Sequence, residues 1–492
     1  MPNKPIDLTF NLQSRRTDAV AADGVVVEAG LYNCYVEDTA QGHAVVKRPG
    51  VAVFQRGSAG FGQGIFGVGT QVWKLTADVL YRVDGTSPSV ALPGVTVSNQ
   101  EFRFFSNTDT MQSLIQSPTG LWVFDGTTAT KVTSANYPAA TVPGVVMLDQ
   151  TVYVLSTDGI IHGSALGDPF TWDALNFIAL DQGLGLPRNL HRHLNYVTAV
   201  CETGVQMFYD AANATGSPLS PVDNASWKMG AVANSITRVV DDTYMLVETT
   251  ATSKAGGYQV VQISGLQPQV ISTPHVDRLL SSANVSPTVY SYGCQACGHT
   301  FFVLTLYELG VTAVYDATMK FWYLWDSIAD VYGSRTFAEI RYYRGYLQNI
   351  SDGTVKVFSE NQFVDQAGFA TSSTFVLNTI AINAPVNSPT TPGTYPIMVQ
   401  VLIPPVDFAT LRRKFLPVLY LLADSAASTV SISWSDDDGQ TYSTPRTVDL
   451  SQARKMLTRC GSSRRRSWKI THSDATALRL YKMELEVEGG AE

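Results

Sequence analysis

The chain is written in short apolar alternations that stop at small polar turns. Leu80-Tyr81-Arg82-Val83 ends at Asp84-Gly85, and Leu121-Trp122-Val123-Phe124 ends at Asp125-Gly126, 41 residues later. Tyr153-Val154-Leu155-Ser156 runs to Asp158-Gly159, Val205-Gln206-Met207-Phe208-Tyr209 to Asp210, and Gln348-Asn349-Ile350 to Asp352-Gly353. Residues 258–265 and 312–316 repeat the pattern. Period-2 alternation predicts strands, and Asp-Gly supplies the positive φ that a tight hairpin requires. A recurrence near 40 residues is the length of one four-stranded blade of a β-propeller. The later spacings stretch beyond 50 residues, and about six blades are expected. An irregular β-sandwich with many hairpins is the alternative architecture.

Helix is scarce. The best segment is residues 273–280, where Thr273 can cap, Pro274 suits the first helical position and Asp277 lies at the positive end. Residues 383–396 hold Pro385, Pro389, Pro392 and Pro396 and read as an extended loop. Fresh strand signals follow at 397–402 and 416–422. The expected division is an N-terminal segment over 1–55, a propeller over 56–375 and a C-terminal antiparallel β-domain over 376–492.

Composition narrows the function. Only 15% of the 492 residues are charged, against 45% hydrophobic, a balance suited to extensive subunit contact. The net charge of -8 argues against a general nucleic-acid binder. Residues 401–492 hold 13 Lys+Arg against 11 Asp+Glu, a net of +2, whereas the first 400 hold 21 against 31, a net of -10. Five cysteines do not make a disulfide framework, and Cys34, Cys201 and Cys460 read as reduced thiols. No apolar run is long enough for a membrane span, and residues 1–20 do not read as a secretory signal, so assembly in a reducing cytoplasm is expected.

Candidate chemistry is thin. Cys294, Cys297 and His299 have the spacing of three zinc ligands, with His191 or His193 as a fourth, but no second Cys pair exists, a strand edge with two small buried thiols is the better account, and no metal is assigned. Gly62-Gln63-Gly64-Ile65-Phe66-Gly67 matches a dinucleotide fingerprint in letters only, because strand signals rather than a helix follow it. Close-packed strand backbone is the better account. Ser435, Asp437, Gly439, Thr441 and Tyr442 resemble the Asp-box of sialidases, a structural hairpin turn, with Tyr in place of Trp. Arg412, Arg413 and Lys414, with Arg464, Arg465 and Arg466, are the basic runs and the candidates for contact with a neighbouring subunit or with DNA phosphates. There is no G-x-S-x-G, H-E-x-x-H or P-loop, and the chain does not read as an enzyme or as a binder of a cofactor.

The run from Gly298 through Thr305, the strand ending at Tyr315-Asp316 and the Phe321-Trp322 pair resemble the tail hub proteins of short-tailed bacteriophages, the packaged-DNA stabilisation family. His299, Leu304, Thr305, Tyr315, Asp316 and Trp322 fall where that pattern expects them, as structural residues. Tyr32-Asn33-Cys34 followed by Lys47-Arg48-Pro49-Gly50 resembles the family's opening, and the Asp-rich turn, the 464–468 run and a closing strand over 478–487 resemble its end. The resemblance implies a virion protein that forms a homohexameric ring beneath the portal and adaptor and retains packaged DNA. It also implies contact with tail fibres, tailspikes or a needle, and only transient, non-specific contact with channel DNA. A carbohydrate-binding or sialidase-like propeller and a peripheral receptor-binding tail protein are the alternatives.

Overall fold

The computed structural model describes residues 4–6, 8, 30–40, 42–55, 60–84, 89–95, 103–118, 120–232, 235–248, 257–281, 289–306, 311–326, 339–350, 353–366, 374–377, 380–383, 394–408, 410, 412–437 and 439–489. Seven four-stranded antiparallel blades follow one another through it. Their innermost strands are Gly62–Val68, Phe104–Asn107, Thr141–Leu148, Pro187–His193, Thr237–Val239 (continued from Gly230–Ala231), Val289–Ala296 and Glu339–Tyr343. Each blade packs beside the next, the fourth and fifth through Tyr196–Cys201 and Gly230–Ala231, and Glu339–Tyr343 returns to Gly62–Val68, so the ring closes.

The expected propeller is present, but its described residues form seven blades rather than about six. The reason is closure. The seventh blade takes only Glu339–Tyr343, Tyr346–Asn349 and Val355–Ser359 from its own stretch of chain. Its outer strand is Gly50–Gln55, from before the first blade, paired antiparallel with Val355–Ser359. A blade split across 300 residues leaves no 40-residue repeat to count.

Packing explains why both faces of the strands are buried in the fold. Each blade is covered by a neighbour on both faces, so both sides of the period-2 alternation are buried. Trp122 and Phe124 pack with Trp73 and Phe66 of the first blade. Leu121 and Val123, on the opposite face, pack with Val145 and Val154 of the third. Tyr244 and Leu246 likewise meet Phe302 and Leu304 of the sixth blade, while Met245 and Val247 meet Val205 and Met207 of the fourth. A small cluster of Ile65, Val83 and Val355 seals the seventh blade against the first. Asp125 bonds the amides of Thr127 and Thr128 at 2.7 Å each, and Gly126 has φ +93°, as the Asp-Gly reading requires. Gly85 and Asp352 of the analogous turns lie outside the described residues. The helix is Pro274–Ser281, with Thr273 Oγ1 accepting the Val276 amide.

A β-sandwich stands against the sixth and seventh blades. One of its sheets runs Cys34–Thr39, Gly42–Lys47, Arg479–Leu485, Val418–Ala423 and Met456–Thr458. The other continues directly from the sixth blade: Phe321–Trp325 pairs in parallel with Gly30–Tyr32 at Tyr32 and Leu324, and the sheet passes on to Val399–Val406, Arg466–His472, Thr429–Ser435 and Arg446–Asp449. Residues 30–47, with the strand Lys4–Ile6 that pairs with Arg479–Leu485, are therefore woven into a domain that otherwise comes from the C-terminal part of the chain. Residues 384–393 of the proline-rich stretch lie outside the described residues, while Thr394–Pro396 forms a short strand with Val364–Gln366.

Candidate functional site: the propeller–sandwich junction and a basic edge

The chain crosses from the sandwich into the propeller at Lys47-Arg48-Pro49-Gly50, and a buried polar cluster forms there. Arg48 is fully buried. Its Nη1 and Nη2 donate to the two oxygens of Asp365 at 2.9 and 2.5 Å, Nη2 also reaches the carbonyl of Asp326 at 2.8 Å, and Nε donates to Asn33 Oδ1 at 3.0 Å. Asn33 Oδ1 also accepts the amide of Asp326 at 2.9 Å, and Asn33 Nδ2 donates to Asp326 Oδ1 and to the carbonyl of Met398 at 2.9 Å. Asn33 holds φ +55°, a left-handed conformation that Asn tolerates better than most residues. A buried guanidinium is stable only when its donors are satisfied this fully. Gly50 completes the crossing, because a Cβ there would lie 2.0 Å from the carbonyl oxygen of Val364.

The second half of the junction is the hairpin that opens with Gly298. Cys297 and Gly298 both have positive φ, +53° and +77°, and form a two-residue turn that pairs Ala296 with His299. His299 Nδ1 stands 2.8 Å from Asp316 Oδ2, and Asp316 Oδ1 accepts the amides of Thr318 and Met319 at 2.9 and 3.1 Å. Burial alone would lower the His299 pKa, but the hydrogen bond and charge of Asp316, with Glu37 and Asp38 beyond, outweigh it and raise it. Tyr35 meets the His299 ring edge-on at 5.0 Å, and Tyr323 donates its place to the sandwich by accepting the Val36 amide at 3.1 Å. Leu304 is buried in the sixth blade, Thr305 and Thr312 hydroxyls lie 3.3 Å apart, and Tyr315 packs on Trp322, whose Nε1 donates to the Ile271 carbonyl at 2.9 Å.

Cys294 is buried in its strand, where desolvation pushes its thiol pKa well up. Among the described residues no three His, Cys, Asp or Glu side chains are grouped to hold a metal. His193 instead bonds Thr243 Oγ1 and the Gly265 carbonyl. The G-x-G-x-x-G letters form the innermost strand of the first blade, where a Cβ at Gly67 would meet the Tyr343 hydroxyl at 2.0 Å. The Asp-box-like turn joins two sandwich strands, outside the propeller. Ser435 Oγ accepts the Gly439 amide at 2.7 Å and donates to Asp437 Oδ1 at 2.6 Å, and Asp437 Oδ1 accepts the Thr441 amide at 2.9 Å. Burial would raise the Asp437 pKa, but the bonds from Ser435 and Thr441 outweigh it and hold it low. Tyr442 lies under the Lys469 ammonium at 4.9 Å.

The two basic runs, some fifty residues apart in sequence, meet in space. Lys414–Phe415 pairs with Ser462–Ser463, and Arg413 Nε donates to Ser462 Oγ at 3.0 Å. Arg412, Arg413, Arg464 and Arg465 are exposed along this edge. Two members of the runs serve the fold instead and are corrected as surface contacts. Arg466 is 3% exposed, forks onto Asp436 at 2.6 and 2.8 Å and lies between Trp434 and Trp468. Lys414 is also 3% exposed, with its ammonium on the carbonyls of Thr410 and Arg412. Sequence reasoning missed Asp326, Asp365 and Asp436, because an acidic residue that pairs with an arginine at long range carries no local signature.

No curated protein sequence gives a significant match. Solved structures that align with the chain include U3-55K (8% identity, TM-score 0.41, covering 63% of this chain and 99% of that one). BamB from Moraxella catarrhalis aligns with 12% identity and TM-score 0.36, covering 71% and 97% of the two chains. At these scores the likenesses bear on neither function nor mechanism. The model of the family described as bacteriophage P22 Gp10, beta-propeller, a packaged-DNA stabilisation family, matches residues 37–350, from the strand beside the junction into the seventh blade, and the chain belongs to that family of phage structural proteins.

Proposed function

We propose that the chain is a subunit of a phage tail ring that lies below the portal and adaptor, extends and closes the DNA channel, and anchors the distal tail. Membership of the packaged-DNA stabilisation family carries this reading. Six copies related by rotation would form it, through heterologous contacts that close on themselves. Two surfaces suit such contacts. The outer strand of the third blade, Asp168–Ala179, exposes Phe170, Leu175 and Phe177, and Leu166 and Leu186 are exposed beside it in sequence. The edge of Arg412, Arg413, Arg464 and Arg465 offers positive charge to the acidic remainder of a neighbouring copy. The role is mechanical, with no catalytic step. The junction supports it, because a protein that resists pressurised DNA must pass load between its two domains through buried, fully bonded groups. Portal, adaptor and fibre, tailspike or needle proteins are the partners of this reading, and the virion is its location.

Electron microscopy of lysates from a phage lacking the gene tests the proposal. Heads that fill and then leak, on particles without a lower tail, are expected. Stable DNA-filled particles that fail only in adsorption would overturn it in favour of receptor binding. The Asp-box-like turn lends no support to the sialidase-like reading, since it lies in the sandwich rather than in a blade.

A further inference from the structure

All seven innermost strands line an axial cavity of about 360 Å³ that is open to solvent. That volume is at the small end of the range for sites that hold organic ligands. Its ionisable lining is cationic: Arg103, Arg192 and Arg238 border it with His191, and no described Asp or Glu does. Arg103 is neutralised by Asp78, at 2.7 Å. The other two are exposed at the cavity rim and have no buried carboxylate partner among the described residues. Arg192 donates from Nε to the Leu194 carbonyl at 3.0 Å and from Nη1 to the Met147 carbonyl at 3.0 Å. Carbonyls orient a guanidinium without cancelling its charge. Arg238 donates from Nε to the Val240 carbonyl at 2.8 Å, and its ion pair is with the exposed Asp241, at 3.3 Å.

Arg192 and Arg238 occupy the same position in adjacent blades. Each stands one residue before the end of its innermost strand, opposite Val197 and Thr243. Each guanidinium is braced by a carbonyl two residues ahead, on a turn residue with positive φ, Leu194 at +50° or Val240 at +59°. Beside them, His191 Nε2 is enclosed with no hydrogen-bond partner among the described residues. Burial first, then His193 and Arg238, drives the His191 pKa down to about 3, so the ring is neutral and carries one N–H to give. Tyr292, Tyr342 and Tyr343, from the sixth and seventh blades, add aromatic surface to the lining.

We infer that this axial cavity is a binding site for a small phosphate-bearing molecule, held by Arg192 and Arg238 with His191. Two braced guanidinium groups fit a tetrahedral oxyanion better than a single point charge does, because each can fork onto two oxygens. The enclosed Nε2 of His191, in the tautomer that protonates it, gains an acceptor from the same ligand. Duplex DNA is too wide for the cavity, so the site is separate from any channel formed between subunits.

The test titrates inorganic pyrophosphate into the full chain at low ionic strength, by calorimetry. Saturable binding is expected, weakened about tenfold or more in Arg192→Gln and in Arg238→Gln, since each loses charge-assisted hydrogen bonds. His191→Phe, which keeps the cavity filled and the arginines in place, should weaken it by a smaller factor. Arg464→Ser/Arg465→Ser, on the distant edge, should leave it unchanged. Absence of saturable binding, equal affinity in all variants that melt like the parent chain, or loss in the Arg464/Arg465 variant would overturn the assignment. Displacement of pyrophosphate by a short single-stranded oligonucleotide would overturn the small-molecule class.

Discussion

The third blade and the propeller–sandwich junction are built by opposite means. In the third blade every strand pairs with its sequence neighbour, through Thr141–Leu148, Thr151–Ser156, Ile160–Ala165 and Asp168–Ala179. Its turns are local and its apolar faces meet the blades on either side. At the junction, Arg48 reaches Asp365, Asn33 reaches Asp326, and Val36 reaches Tyr323 across some 300 residues. Blades gain their stability from many replaceable apolar contacts. The junction concentrates it in a few polar groups that have no substitute once buried. Damage should therefore be graded in the blades and abrupt at the junction.

The largest effect is expected at Arg48. Arg48→Ala strands Asp365, 2% exposed, without its cation and should cost about 3–5 kcal/mol, read as a lowered urea midpoint. Arg48→Met combined with Asp365→Leu removes both charges and should recover much of that loss. If the single variant matched an average surface substitution, the contrast between junction and blades would fail.

His299 sharpens the contrast through pH. Its folded pKa is raised, so the pair with Asp316 adds stability that is full below about pH 6.5 and lost as pH rises through the folded value. His275 and His472, each lowered to about 4 chiefly by burial, act with the opposite sign and lose stability as pH falls below about 6.5. Comparison with the parent chain cancels their contribution. His299→Gln should therefore show a larger deficit at pH 6 than at pH 9 in paired thermal melts. A deficit that grew with pH would contradict the assigned pairing.

A local turn should cost less. Asp437→Ala removes acceptors for Thr441 and Ser435 and should destabilise by about 1 kcal/mol, with no effect on the propeller. Limited proteolysis would place the new cleavage between residues 435 and 443. Smallest for stability is Arg464→Ser with Arg465→Ser, within about 0.5 kcal/mol. On the proposed function the same pair should impair assembly into particles, which sedimentation of lysates would read.

What was legible in the sequence follows the same division. Asp125-Gly126 and Asp158-Gly159 announce their hairpins because the turn chemistry lies within four residues. The helix at Thr273-Pro274 and the turn at Ser435-Asp437 are legible for the same reason. The seventh blade was not countable, since Gly50–Gln55 joins it from far upstream. Arg48 stood in a motif that could be quoted, but its partners Asp365 and Asp326 could not, because ion pairing at long range is set by the fold and not by spacing. Arg466 shows the converse: three arginines in a row look alike in sequence, and only the fold decides that the third, the first residue of the strand Arg466–His472, turns inward to Asp436 while the two before it stay in an exposed bend.

The central claim is a place on the axis of the tail. Cryo-electron microscopy of intact particles, with this chain fitted as one rigid propeller–sandwich unit, tests it most directly. The account predicts a closed ring of identical subunits around the DNA channel, directly below the portal and adaptor, with Arg412, Arg413, Arg464 and Arg465 at a contact between copies. Copies found off the axis, at the tips of peripheral fibres, or absent from the particle would contradict it.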